Sequence, residues 1–145
     1  MRADQGYEYF EHTADVGMRA AGRSLDELFI HAARGMVGLL LDSPPTGTDE
    51  SHPIQLLEES PEDLLHRWLK ELLFWFHTDK FLPTAYHIQV LEQPPAHWTV
   101  RGWLDGERFD PARHAPGTEI KGVTYHQFRV ASVGSAWEAE VIFDV

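Results

Sequence analysis

Hydrophobic and polar residues alternate along the first part of the chain with two different periods. Over residues 7–21 the period is two, which is typical of a strand that buries one face. One face carries Val16, Met18 and Ala20, and the other carries Asp15, Gly17 and Arg19. This segment is therefore predicted to form a strand pair or one long bent strand, closed by Gly22.

Helical spacing begins directly after this segment. Ser24 and Glu27 match a capping box, in which a serine hydroxyl and a glutamate carboxylate accept hydrogen bonds from free N–H groups at a helix start. The apolar residues that follow recur three, four and seven positions apart as far as Leu40. The pattern predicts an amphipathic helix that ends before Ser43-Pro44-Pro45.

A second helix is predicted after a short strand at residues 54–58. Ser60 is a suitable N-cap, Pro61 suits the first helical position, and Glu62 and Asp63 complement the helix dipole. Its apolar face consists of Leu64, Leu65, Trp68, Leu69, Leu72, Leu73 and Phe76. The helix should end near residues 77–78, and core packing is the simplest use of its aromatic residues.

The last half of the chain has the composition of strands. They are predicted at residues 86–91, 98–104, 119–130 and 136–143. Reversals at residues 93–95 and 133–135 make consecutive strands antiparallel. A long loop is expected at residues 105–118, and such loops often carry function. The sequence thus predicts an α+β single domain over residues 1–145, with a mixed, mainly antiparallel β-sheet and two amphipathic helices packed on one face.

Composition narrows the class of protein. With 145 residues, 43% of them hydrophobic, the chain can bury a core. Its 12 basic and 23 acidic residues give a net charge of −11, which argues against direct nucleic-acid binding and favours a cation or a basic protein surface. Since there is no basic-then-apolar start and no apolar run near ~18 residues, we expect no signal peptide and no membrane span. We expect a cytoplasmic protein.

Several kinds of active site lack their sequence signatures. Cysteine is absent, which removes thiolate nucleophiles and cysteine-based zinc sites. Nine histidines are present, but none lies in an HExxH pattern, and His66 and His77 would lie ~16 Å apart along their helix. Neither a G-x-S-x-G serine pattern nor a nucleotide-binding glycine pattern occurs. The sequence therefore gives no support to these enzyme classes.

Carboxylates lie near both ends of the chain at the ends of predicted strands. Asp15 follows Phe10 and precedes an apolar strand pattern, and Asp144 is followed by Val145 with its α-carboxylate. If the two segments meet, these oxygens would form a site for a hard cation. The alternative is that Asp144 is an ordinary exposed strand end.

An unusual polar run occupies residues 121–126. On a strand, Thr124 and His126 would share a face that is opposite to that of Lys121, with Gly122 allowing close approach of another backbone. That face would border a ligand, although a half-exposed outer face explains the same pattern equally well.

Four segments together resemble the archease family. They are EHTADVGMRAAGRSLDELFIHAARGM at residues 11–36, KELLFWFHTDKFLP at 70–83, FDPARHAPGTEIKGVTYHQFRV at 109–130 and EAEVIFDV at 138–145. The resemblance runs from Tyr7 to Val145, and the segments follow the family's order. The short HTAD and K-x-V-T-Y-H motifs become specific in combination with the terminal aspartate.

The resemblance implies a function and a metal site. Archeases are small α+β proteins that act as cofactors of the RtcB-type tRNA-splicing RNA ligase, which joins RNA ends through a guanylylated histidine. They promote guanylylation and repeated turnover of the ligase, can broaden its use of nucleotides, and are not enzymes themselves. The family's metal, usually assigned as calcium (Ca²⁺), carries over onto Asp15, Asp144 and Val145, the last through a backbone or terminal carboxyl oxygen.

Other residues of the matching motifs are candidates for supporting roles. His12 would orient Asp15 through a hydrogen bond, because ligating carboxylates are themselves usually hydrogen-bonded. Lys121, Thr124 and His126 are candidates for support of the site or for contact with the partner. At Gly122 the family more often has alanine. This departure affects the expected rigidity of the strand and not the predicted metal ligands.

Two alternative functions belong to different classes. The first is a metal-dependent phosphoester hydrolase in which the cation activates water and His12 or His126 transfers protons. The second is a general chaperone-like binding module that uses the aromatic helix as a groove. Turnover by the isolated protein would favour the first, and metal-independent protection of unrelated proteins would favour the second.

Overall fold

The structure is a computed structural model that describes residues 5–12 and 14–145. Two helices and eight strands occur in this part of the chain. In order they are β1 (Tyr7–His12), β2 (Asp15–Gly22), α1 (Leu25–Leu40), β3 (Glu50–Glu58), α2 (Pro61–Asp79), β4 (Phe81–Gln93), β5 (His97–Arg108), β6 (Gly122–Val123), β7 (Arg129–Val133) and β8 (Ala136–Asp144). None of the described helices is long and apolar enough to cross a membrane.

The strands form two antiparallel sheets. The larger sheet has the order β1-β2-β8-β6, with β7 also paired to β8, and the smaller has the order β3-β5-β4. All pairings between the described strands are antiparallel. The predicted α+β class is confirmed, but the expected single sheet is divided in two. Side-chain alternation shows which face of a strand is buried, and it does not show which strand lies beside it.

Both predicted helices are confirmed, with their caps. Ser24 accepts the N–H of Glu27 at 3.1 Å, and Ser60 accepts the N–H of Asp63 at 3.1 Å. α1 ends at Leu40, ahead of the two prolines. The fully buried Trp68 of α2 donates its indole N–H to the carbonyl of Phe29 in α1 at 3.0 Å. The helices are thus joined at the centre of the core, which also receives apolar side chains from both sheets.

The predicted strand at residues 119–130 is confirmed only at residues 122–123 and 129–130 and is wrong over the rest of that range. β6 and β7 both pair with β8, but residues 124–128 loop out between them. The Thr124 hydroxyl donates to the Ile142 carbonyl at 3.1 Å and accepts the N–H of His126 at 3.2 Å, and Gln127 has a φ of 54°. The bond from the His126 N–H to the Thr124 hydroxyl is local and favours a turn here over continued strand pairing. The strands β3, β4 and β5 are longer than predicted, and β5 takes in the first residues of the expected 105–118 loop.

A buried carboxylate near the end of β5 ties two loops together. Glu107 is 2% exposed, and its Oε2 accepts the N–H groups of Thr46 at 2.8 Å and Gly47 at 2.7 Å. Its Oε1 contacts the guanidinium of Arg113 and lies 3.2 Å from Nε2 of His114. The loop before β3 is thereby fixed against the loop after β5.

This network predicts a dependence of stability on pH. The Gly47 N–H, helped by Thr46 and Arg113 and opposed by burial, lowers the pKa of Glu107 from 4.5 to about 2. A lowered pKa gives stability that is present above pH 4.5 and is lost as the pH falls toward 2, about 3 kcal/mol in all. We expect Glu107→Gln to lower the free energy of unfolding at neutral pH by about 2 kcal/mol and to flatten its pH dependence in this window.

Urea unfolding followed by tryptophan fluorescence measures both effects. Glu92→Gln is the matched control, since Glu92 is exposed at the end of β4, and it should change the free energy of unfolding by less than about 0.5 kcal/mol. An unchanged acid profile in Glu107→Gln would contradict the assignment.

Candidate metal centre

The turn between β1 and β2 places two polar residues opposite each other at the tip of the larger sheet. His12 ends β1 and pairs in register with Asp15, which begins β2. Of the two residues between them, Thr13 lies outside the described residues, and Ala14 has a φ of 57°, a left-handed conformation that alanine rarely adopts. The tight turn thus fixes the position of Asp15 at the end of the sheet.

The pairing of β2 with β8 runs toward the two predicted carboxylates. The ladder pairs Met18 with Val141 and ends with Val16 opposite Phe143, so the next residues are Asp15 and Asp144. Because Met18 and Val141 face the core, Asp15 and Asp144 project from the opposite, outer face.

The β6 strand forms the other border of this tip. Gly122 lies opposite Asp144, and the N–H of Lys121 donates to the Asp144 carbonyl at 2.7 Å. A Cβ at Gly122 would meet no atom within 4 Å, so the alanine more common in the family would fit without rearrangement. Lys121 is exposed, and Val145 is half-buried against the core.

His12 lies beside this site without a hydrogen bond to it. Its Nδ1 is 3.8 Å from Oδ2 of Asp15, which is longer than a hydrogen bond, and this buried nitrogen has no partner among the described residues. Its ring packs edge-on against that of His126, with centroids 5.2 Å apart. The orientation of Asp15 by His12 therefore remains a prediction.

The loop after β6 holds the other two candidates in different states. Thr124 uses its hydroxyl within the turn, where it donates to the Ile142 carbonyl and accepts the His126 N–H. His126 is exposed, and its ring contacts that of His12. Thr124 thus shapes the border of the site, while His126 remains available to a partner.

The donor set fits a hard cation better than a zinc ion. Within residues 5–12 and 14–145, no three His, Asp or Glu side chains converge closely enough to hold a metal. The predicted donors are the carboxylates of Asp15 and Asp144 and an oxygen of Val145. Such an irregular set of oxygens suits Ca²⁺, which accepts six to eight oxygen ligands in flexible geometry. Like charges on opposite strand positions repel each other, and a divalent cation would neutralise them.

A cleft lies next to this site, on the helix for which the sequence suggested a groove only in the chaperone-like alternative. It lies between α2 and β6, and its walls include the exposed side chains of Lys70, Phe74 and Tyr125. The signal was present in the sequence, because Phe74 is an apolar residue outside the apolar stripe of its helix. Tyr125 gave no such signal, since its exposure depends on the unpredicted turn after β6.

The fold and the two carboxylates that extend the β2–β8 register define a small α+β protein with a candidate cation site at the tip of a sheet. A family model described as the Archease protein family (MTH1598/TM1083) matches residues 7–145. The protein archease of Methanosarcina mazei is 31% identical over 139 residues, which is 96% of this chain and 95% of the relative. That of Methanopyrus kandleri is 33% identical over 139 residues, or 96% and 99% of the two chains. The chain therefore belongs to the archease family.

Solved structures show the same fold. The solution structure of protein 1598 from Methanobacterium thermoautotrophicum superposes with a TM-score of 0.84 at 29% identity and covers 97% of this chain and 99% of its own. The crystal structure of a Thermotoga maritima protein, described as an archease and possible chaperone, has a TM-score of 0.61 at 22% identity. It covers 95% of this chain and 96% of its own, and it shows the fold alone.

Proposed function

We propose that this chain is a non-catalytic, metal-binding activator of an RtcB-type tRNA-splicing RNA ligase in the cytoplasm. Membership of the archease family supports the proposal, and the observation that carries it is the β2–β8 register, which leads to Asp15 and Asp144 on one face of a sheet tip. The net charge of −11 makes the ligase, rather than RNA, the expected binding partner.

In this proposal the residues of the tip hold one Ca²⁺ ion and present it to the ligase. Asp15, Asp144 and an oxygen of Val145 are the ligands. The ion supplies a positive charge, and a carboxylate of the partner or water completes its coordination shell. Gly122 leaves open space next to Asp144, and Lys121 keeps that strand end in place through its N–H. The activator binds the guanylylation-competent state of the ligase more tightly than the other states and so raises its population.

The test is ligase guanylylation with and without this protein, in Ca²⁺ and in chelator. We expect the protein to increase guanylylation and repeated ligation in Ca²⁺, and chelator to abolish both this increase and the capture of the ligase in a pull-down. The ligase alone, in the same two buffers, controls for its own metal requirement. Equal guanylylation with and without the protein, at protein concentrations that saturate binding, would refute the proposal.

The same preparation separates the two alternatives. The hydrolase alternative would be supported if the isolated protein hydrolyses nucleotides or phosphoesters and the Asp15→Asn variant does not. The Thermotoga relative is described as a possible chaperone, and protection of unrelated proteins from aggregation in chelator would show that activity here.

A further inference from the structure

A cavity of about 680 Å³ lies between α1, β1 and β4, so residues of both sheets line it. Three tyrosines contribute to its walls, Tyr7 and Tyr9 from β1 and Tyr86 from β4, together with Arg34 from α1, and we call it the tyrosine cavity. Its volume falls in the range of small-molecule sites. Tyr7 is at the opposite end of β1 from His12, about 17 Å along the strand, so the cavity is separate from the candidate metal centre.

The wall between β1 and α1 is held in place by the protein itself. The Tyr9 hydroxyl donates to the Gly35 carbonyl at 2.7 Å, which fixes the tyrosine ring against the helix. A Cβ at Gly38 would lie 2.8 Å from the Tyr9 hydroxyl oxygen and 3.5 Å from that of Tyr7. Glycine inside a helix is less favourable than alanine, and at this position its missing side chain leaves room for the two hydroxyl groups. This wall is therefore formed before any ligand binds.

Two polar groups of the cavity lack a polar partner within residues 5–12 and 14–145. The Tyr86 hydroxyl oxygen is buried and accepts or donates no hydrogen bond there. The Arg34 guanidinium forms no ion pair or hydrogen bond with the same residues, and it lies over the Tyr86 ring at 5.6 Å from the centroid. A buried hydroxyl without a partner costs free energy, so such groups usually bind a ligand or a water molecule.

The charge that acts at this hydroxyl is positive. The lining contains one permanent cation, Arg34, and one carboxylate, Asp42, besides the titratable His31. Burial raises the pKa of Tyr86, the Arg34 guanidinium opposes this shift, and Tyr7 adds to it. Asp42 is exposed in the loop after α1 and is not among the groups that shift the pKa of Tyr86. An anionic group of a ligand therefore fits between Arg34 and Tyr86, while a hydroxyl or amine of the ligand fits at Asp42.

The rest of the lining suits a flat apolar group. Rigid or branched side chains face the tyrosine rings across the cavity's lining, namely Val37, Leu41, Pro44, Pro45 and Pro83. Mainly apolar and aromatic walls with a few polar groups are typical of sites for small organic molecules. An aromatic ring in the ligand would gain stacking and burial against such walls.

We propose that the tyrosine cavity binds a small planar organic anion, an aromatic molecule that carries a carboxylate or a phosphate group. The anionic group accepts hydrogen bonds from the Arg34 guanidinium and the Tyr86 hydroxyl, and the ring lies against the tyrosine and proline side chains. This site goes beyond the proposed activator function and does not depend on it, because the cavity shares no residue with the candidate metal centre.

Four probe compounds test the chemical class of the ligand. Phenyl phosphate and benzoate have both a ring and a charge, benzamide has the shape of benzoate without its charge, and inorganic phosphate has a charge without a ring. Titrations in metal-free buffer are followed through the amide resonances of the full chain. We expect phenyl phosphate or benzoate to bind with a Kd of about 1 mM or tighter and to shift resonances of α1 and β4, and the other two compounds to bind at least about tenfold more weakly. The tighter of the two aromatic anions identifies the preferred anionic group.

Two conservative variants with matched controls test the assigned residues. Tyr86→Phe and Arg34→Gln should each weaken binding of the preferred anion by about tenfold or more. Tyr125→Phe and Arg101→Gln make the same changes at exposed positions outside the cavity and should bind as the unmodified protein does. Without a probe compound, Tyr86→Phe should have the same or a higher Tm, because it removes a buried hydroxyl that has no partner.

The outcomes that would overturn this site are distinct from those that concern the ligase. Equal affinities for benzoate and benzamide, equal affinities in all five proteins, or no binding of any probe up to about 10 mM would each refute it. A lower Tm of Tyr86→Phe without a probe would assign the hydroxyl to a structural bond with a buried water molecule instead. Ligase activation is measured separately, and neither its presence nor its absence changes these expectations.

Discussion

Replacing Asp15 or Asp144 with asparagine is expected to weaken Ca²⁺ binding by about 100-fold or more and to remove activation of the ligase. Asparagine keeps the size of the side chain and one oxygen but removes the negative charge. The register of β2 and β8 leads to these two residues on the same face, so each variant removes one of the two side-chain carboxylates predicted to bind the ion. Titration calorimetry with Ca²⁺ and a guanylylation assay measure the two effects.

Thermal unfolding adds a readout that ordinary destabilisation would not give. Without metal, Asp15→Asn should unfold at the same or a higher temperature, because a repulsion between opposite carboxylates is removed. Ca²⁺ at 100 times the Kd of the unmodified protein should stabilise that protein by about 2.7 kcal/mol and so raise its Tm, whereas it should stabilise the variant by less than about 0.5 kcal/mol. Asp79→Asn, at the exposed end of α2, is the matched control. Calcium affinity that is the same in all four proteins would contradict the assigned ligands.

Replacing Trp68 with alanine is expected to cost about 3–5 kcal/mol of unfolding free energy, the largest loss of stability that we predict. The side chain is 0% exposed, and its ring packs against Phe29 of α1 and Tyr86 of β4. Its indole N–H also bonds to the Phe29 carbonyl. The substitution leaves a cavity between α1, α2 and the smaller sheet and removes this bond between the helices.

The control for Trp68 is another tryptophan in the same chain. Trp103 lies on the outer face of the smaller sheet and is 50% exposed, so Trp103→Ala should cost less than about 1 kcal/mol. Trp68→Phe should fall between the two, because it keeps most of the ring and loses the indole donor. Urea unfolding followed by circular dichroism gives all three values, and equal costs for Trp68→Ala and Trp103→Ala would contradict the position of Trp68 in the core.

The helices could be predicted because their signals are local. Ser24 and Ser60 cap helices that begin at the next residue, and the apolar residues of both helices are buried where their spacing places them. These signals act within a few residues of the chain, so periodicity and capping chemistry are enough to find them.

The strands were predicted less completely because their partners lie far away in the sequence. The division into two sheets depends on β5 pairing with β3 and β4 while β8 pairs with β2. The turn at residues 124–128 depends on the bond from Thr124 to the distant Ile142 carbonyl. Neither the strand pairing nor the Thr124 hydrogen bond leaves a signal in the local pattern of hydrophobic residues.

The sequence by itself determined the α+β class, both helices with their caps, and the two carboxylates that are candidate ligands. Only the tertiary structure decided that Asp15 and Asp144 extend one antiparallel register on the outer face of a sheet tip. It also decided that Phe74 and Tyr125 line one groove beside that tip. The physical reason is that periodicity and caps arise from neighbouring residues, whereas a shared site arises from strand register, which is fixed by the packing of the whole core.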